Sequence, residues 1–113
     1  MREVLFYRSP SGTSPVEEFL DELGPNKARK VTWVLSLIEE LEFVPREYLK
    51  KLPGTEDIWE VRIKVGGDSI RFLGFWHDQR FIVLVHAFKK KTKKIRKTDI
   101  RLAEARRKEY ISR

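Results

Sequence analysis

The sequence predicts an α+β fold: a small antiparallel β-sheet with an N-terminal strand, a two-helix hairpin packed on one face, and a basic C-terminal helix. Three observations carry that expectation. Apolar residues recur at three-and-four spacing across residues 15–42, they alternate with charged residues from Trp59 to Val65, and short turn signals then set off two more apolar runs. Helices that precede the strands, rather than alternating with them, segregate to one face of an antiparallel sheet. At 113 residues, 41% hydrophobic and 12% aromatic, the chain has material for one core and too little for two. A single domain over residues 1–113 is expected.

Val4–Arg8 reads as a first strand, stopped by Ser9-Pro10-Ser11-Gly12. A helix over Pro15–Leu23 has three agreeing start signals: Ser14 as cap, Pro15 at the first position and Glu17 where a capping box places it. Gly24-Pro25 ends it. Asn26 then caps a longer helix running to about Glu42, with Pro45 beyond, and Val31, Val34, Leu35, Ile38 and Leu41 form its buried face. After a loop around Pro53-Gly54-Thr55, Trp59, Val61, Ile63 and Val65 alternate with Glu60, Arg62 and Lys64, the mark of a strand buried on one side. Gly66-Gly67-Asp68 turns the chain into a strand over Ser69–Trp76. His77-Asp78-Gln79-Arg80 turns it again into Phe81–Phe88, which makes a three-stranded meander. A last helix is expected over Asp99–Ile111, with Ile100, Ala103, Arg107 and Tyr110 on one side. Its apolar face is thin. Trp33, Trp59 and Trp76 read as core.

Composition excludes several classes. No run approaches the roughly 18 apolar residues of a membrane span, and the N-terminal stretch is too short and too charged for a secretory signal. The absence of cysteine removes disulfides, a thiolate nucleophile and cysteine-bound zinc. No cofactor and no metal are implied, and the cytoplasm is the expected location. The net charge of +7 is unevenly placed: Lys89–Arg113 holds 12 basic and three acidic residues, and the rest holds 12 basic and 14 acidic. A cationic stripe on a nearly neutral body suits a polyanion.

The sheet face opposite the hairpin is where function is expected. Alternation points Arg62 and Lys64 together, away from Trp59 and Val61, and pairing register decides whether Arg71 joins them. His86 shares strand parity with Ile82, Leu84 and Phe88, and the lysines Lys89, Lys90 and Lys91 follow at once. Such a cluster suits metal-free phosphodiester chemistry, which needs a proton acceptor, cations for the crowded phosphorane and a donor for the departing oxygen. Histidine titrates near neutrality, and arginine forks match phosphate oxygens. The alternatives stay open: His86 as a structural histidine, Arg62 with Glu60 as a surface ion pair, and His77 as a surface residue. An arginine as embedded in apolar neighbours as Arg71 needs a partner if buried.

The stretches Ile58-Trp59-Glu60-Val61-Arg62, Ile70-Arg71-Phe72 and Leu84-Val85-His86-Ala87-Phe88-Lys89-Lys90-Lys91-Thr92, with the closing Ala103–Tyr110, resemble the RelE/ParE superfamily of bacterial type II toxins, in its HigB-like, phage-derived branch. The resemblance implies a RelE-like fold and a toxin that cuts messenger RNA at the ribosome without a metal. It implies a cognate antitoxin, a helix-turn-helix protein, through which alone the toxin meets operator DNA. By position it assigns catalysis to Arg62, Arg71, His86, Lys89 and Lys90, and RNA or ribosome contact to Lys64, Lys91, Lys93, Lys94, Arg96 and Lys97. The family's late tyrosine has one counterpart by order, Tyr110, which falls on the predicted helix. Two other functions fit the same residues: a ParE-like inhibitor of DNA gyrase and a non-catalytic nucleic-acid-binding module.

Overall fold

The computed structural model describes residues 2–113. Its elements are β1 (Glu3–Phe6), α1 (Pro15–Leu23), α2 (Pro25–Glu40), β2 (Leu49–Lys51), β3 (Trp59–Val65), β4 (Asp68–His77), β5 (Phe81–Lys89) and α3 (Lys97–Ile111). All five strands form one sheet in the order β1-β5-β4-β3-β2. The expected meander β3-β4-β5 is antiparallel, and it gains a strand at each edge. β1 pairs parallel to β5, from Glu3 opposite Phe81 to Phe6 opposite Leu84, so the sheet is mixed rather than purely antiparallel. A long connection between the two strands, here the helical hairpin and the meander, is what a parallel pair requires. β2 lies where the sequence suggests only a loop, because three residues are too few to show alternation.

Local chemistry sets the helix ends. The Ser14 hydroxyl accepts from the Glu17 amide at 3.3 Å, which caps α1. The expected capping box stays half-made, since the Glu17 carboxylate accepts instead from Arg8 Nη2 at 2.9 and 3.1 Å. α2 begins two residues earlier than expected. Gly24, at φ 85°, takes the cap position and Pro25 the first turn, so Asn26 is not the cap. Proline's fixed φ suits a first helical residue, and glycine alone takes that left-handed φ without strain. α2 ends at Glu40, two residues short of the expected Glu42, and Leu41 leaves it with ψ 134°. Arg2 donates to the Leu41 and Glu42 carbonyls just beyond this end.

The hairpin covers one face. Val16, Val31, Val34 and Ile38 are fully buried against Val61, Ile63, Ile70, Phe72, Ile82 and Leu84, with Phe19 edge-on to Phe72 at 5.8 Å. Burying a side chain the size of Phe72 contributes about 1.5–3 kcal/mol. Two residues expected in the core are outside it. Trp33 is 49% exposed with the Lys30 ammonium over its ring at 4.6 Å, and Leu41 is exposed beyond the last turn. Trp59 and Trp76 meet edge to face at 6.1 Å and pack on the hairpin side.

The second face is not left open in full. α3 packs on β4 and β5 and buries Ala103 with Leu73, Phe75, Val83 and Val85. Its thin apolar stripe suffices because alanine lets the backbone come close, and Tyr110 meets Phe75 at 5.5 Å. What remains uncovered on this face is the β3 side, and the charged residues gather there.

Candidate nucleic-acid interface

Two tight features of the meander fix the register of the site. The β3–β4 hairpin turns on Gly66 (φ 56°) and Gly67 (φ 82°), a two-residue connection that needs positive φ at both positions. It therefore sets Arg62 directly opposite Arg71, and Glu60 opposite Leu73. Farther along, Leu73 pairs with His86 while Gly74 pairs with Leu84, so Val85 is an extra residue in β5. A Cβ at Gly74 would stand 2.5 Å from the Val83 carbonyl oxygen, so only glycine fits at this bulge.

The bulge changes the expected parity. His86 and Phe88 do not share a face with Ile82 and Leu84; they shift to the α3 face, opposite Leu73 and Arg71, and Ala87 takes the hairpin side. Arg62, Arg71 and His86 thus stand on the same face of the sheet. They do not share one pocket. His86 Nε2 lies 2.8 Å from Asp99 Oδ1 in the first turn of α3, and its ring stacks on Phe88 at 5.3 Å. The side chain is 15% exposed and opens toward a groove between α1 and α3 lined by Phe19, Leu102 and Arg106.

The two arginines are organised by Glu60, which the alternation places in solvent but which is buried. Arg71, buried to 3% exposure, donates from Nε to Glu60 Oε2 at 2.9 Å and from Nη1 to the Ile70 carbonyl at 3.2 Å. Arg62 Nε lies 3.7 Å from Glu60 Oε1. One carboxylate thereby engages both guanidiniums through Nε, while Nη1 of Arg71 is taken up by the Ile70 carbonyl. Burial pulls the Arg71 pKa below the usual arginine value and Glu60 opposes that pull. An arginine stays charged under such a shift.

Both arginines line a cleft of about 580 Å³ between the β3–β4 turn and the segment after β5. Arg62, Lys64, Arg71, Lys90, Lys91 and Lys93 line it, with Asp68, Ser69 and Thr92. Asp68 is the acid within this ring. Lys27 at 2.5 Å and Lys89 at 3.4 Å hold it, and the Lys27 hydrogen bond keeps its pKa below the ordinary carboxylate value. Lys89 is thus committed to Asp68 rather than free in the cleft. A second cleft of about 310 Å³ adjoins, where Lys94 and Arg96 join Lys89–Lys91 around Phe88 and Asp99. Lys97 opens α3 and is exposed. Tyr110 is not among the residues lining either cleft and packs on Phe75 and His77. His77 lies 3.3 Å from exposed Asp78, a surface pair as expected.

Among the described residues no group of three or more histidine, cysteine, aspartate or glutamate side chains is placed to hold a metal, and no helix is long and apolar enough to cross a membrane. Residue reading alone missed Glu60 as an anchor and Asp99 as the partner of His86. The first was within reach, since a buried arginine demands a carboxylate and Glu60 is the acid on the neighbouring strand. Asp99 had no signal, because its approach depends on how α3 docks.

The fold and the site define a class: a small α+β protein whose mixed sheet carries two buried-anchored arginines in a lysine-lined cleft. The family model of phage-derived Gp49-like proteins matches residues 18–108, which is 91 of the 113 residues and spans from within α1 to near the end of α3. The chain belongs to that family. No curated protein matches it.

Proposed function

We propose that this protein is the toxin of a type II toxin–antitoxin pair, a RelE-like endoribonuclease of the HigB branch that cuts messenger RNA in the ribosome without a metal. One observation carries the reading: the Arg62–Glu60–Arg71 unit facing a cleft ringed by Lys64, Lys90, Lys91 and Lys93. Membership in a phage-derived family is consistent with a toxin-like protein. In the proposed reaction the RNA 2′-oxygen attacks the adjacent phosphorus and gives up its proton to solvent. The bond from phosphorus to the 5′-oxygen breaks, that oxygen takes a proton from Lys90, and a 2′,3′-cyclic phosphate and a 5′-hydroxyl remain. The positive charges of Arg62 and Arg71 offset the charge that builds on the phosphorane, where a preorganised site is most effective. His86, bound to Asp99, orders the base of α3 in this scheme rather than accepting the proton.

The partners follow from the same reading: ribosome and message at the cleft, a helix-turn-helix antitoxin that holds the protein inactive, and operator DNA only through that antitoxin. The cytoplasm is where all of them meet. One observation favours a second reading. No imidazole lines the cleft, as a non-catalytic nucleic-acid binder or a gyrase inhibitor would allow. Induction in a bacterial host separates the two. Growth should stop, primer extension on cellular transcripts should show discrete cuts, and Lys90→Ala with Arg62→Ala should abolish both. Intact transcripts alongside growth arrest and DNA damage would replace the nuclease with the gyrase inhibitor.

A further inference from the structure

A second cavity of about 300 Å³ shares Arg62, Lys64 and Arg71 with the cationic cleft but continues past them to the edge of the sheet. It exists because β2 is short. β2 pairs only with Trp59–Val61 of β3, and its chain leaves after the Arg62 amide donates to the Tyr48 carbonyl at 2.9 Å. The rest of the β3 edge has no strand beside it. Backbone groups alternate in direction along an antiparallel strand, so Lys64, two residues after Arg62, turns its N–H and C=O to this bare edge.

The cavity is built unlike the cleft it joins. Buried Val34 and Ile63 are part of its lining, with the half-buried Tyr48 and the exposed Glu47 beside them. Among the described residues, neither the Tyr48 hydroxyl nor the Glu47 carboxylate has a hydrogen-bond or ion-pair partner. Its size sits at the lower end of small-ligand pockets, roughly 300–1,000 Å³, which suits one planar ring. An apolar lining with an aromatic ring, next to arginines that suit phosphate, is the arrangement by which single-stranded RNA is read one splayed base at a time.

We propose that this cavity is a nucleobase subsite that selects guanine in the RNA held by the cleft. The proposal rests on the nucleic-acid reading above and adds its specificity. A carboxylate accepts two hydrogen bonds side by side, and guanine offers adjacent donors at N1 and N2. The Lys64 amide supplies the donor that guanine O6 requires. Uracil presents a single donor between two acceptors, which leaves half of the Glu47 carboxylate unanswered. The half-buried Tyr48 ring covers the face of the base, above a floor closed by Val34 and Ile63.

The test uses the full chain and labelled single-stranded hexaribonucleotides, read by fluorescence anisotropy at low salt: all uridine, one central guanosine, or one central inosine, which lacks the N2 amine. The guanosine strand should bind about tenfold tighter than the uridine strand, on the scale of a bidentate base contact, with inosine between. Glu47→Gln, an exposed change, should erase the guanosine advantage without weakening binding of the uridine strand. Equal affinity for all three strands, with binding otherwise salt-sensitive, overturns the subsite and leaves the nucleic-acid reading standing. A guanosine preference that survives in Glu47→Gln overturns it as well. If no strand binds at all, both fall.

Discussion

Replacing Glu60 with alanine should destabilise the protein severely for its size. The Glu60 and Arg71 side chains are 7% and 4% exposed and meet at 2.9 Å. Removing the acid leaves the Arg71 guanidinium desolvated, with only the Ile70 carbonyl as acceptor. Breaking a buried pair from one side costs about 3–5 kcal/mol. The contact to Arg62, longer at 3.7 Å and 37% exposed on the arginine side, adds little. At about 4 °C of midpoint per kcal/mol for a domain of this size, the melting temperature should fall by roughly 12–20 °C. Urea unfolding followed by tryptophan fluorescence gives the free energy directly. Glu60→Gln, which still accepts a hydrogen bond, should cost less than alanine. The double variant Glu60→Met with Arg71→Met should recover most of the stability, within about 1–2 kcal/mol of the parent, because an apolar pair avoids the desolvation cost. It should nonetheless fail to bind RNA. A loss below about 1 kcal/mol for Glu60→Ala would show that Arg71 is not anchored in this way, and the account of the site would fail with it.

Other consequences are quicker to check. Gly74→Ala places a methyl 2.5 Å from the Val83 carbonyl oxygen and should cost about 1–3 kcal/mol in urea unfolding, and a neutral result would remove the bulge as a fixed feature. Desolvation, helped by the Glu109 hydrogen bond, raises the Tyr7 pKa, so folding favours the neutral phenol. Its contribution is complete below the unfolded value of about 10 and is lost as pH rises through the higher folded value. Tyr7→Phe should flatten that alkaline decline in a pH series of thermal melts. Asp68 runs the other way: held below its ordinary pKa by Lys27, it stabilises above the unfolded value of about 4 and loses that contribution as pH falls through the folded one. Asp68→Asn should remove the corresponding part of the acid decline. His86→Asn should lower stability while leaving RNA affinity near the parent value. A loss of affinity as large as that of Arg62→Ala would return His86 to the cleft.

Much of the architecture is legible in residue order because its signals are local. Ser14-Pro15 marks α1, Gly66-Gly67 marks the hairpin, and alternation marks β3. Arg62 and Arg71 are readable as partners once the two-residue turn fixes their register. The expectations that failed depend on events far along the chain or on single-residue irregularities. Strict alternation assigns His86 to the face of Ile82, and one extra residue at Val85 reverses it. Glu60 looks exposed by pattern, and the burial of Arg71 pulls it inside. The parallel pairing of β1 had no local signal, because its partner β5 lies past the helical hairpin and two strands of the meander. Trp33 reads as core by type, yet helical phase turns it outward beside Lys30.

The salt dependence of RNA binding tests the central claim most directly. If Arg62, Lys64, Arg71, Lys90, Lys91 and Lys93 together engage about four phosphates, log K should fall against log salt with a slope near −3, at about 0.7 for each phosphate of a single strand. Lys90→Ala and Lys91→Ala should each reduce that slope by about 0.7 without unfolding the protein. A flat response in the parent, or a slope unmoved by both substitutions, would mean that the cleft does not hold a polyanion.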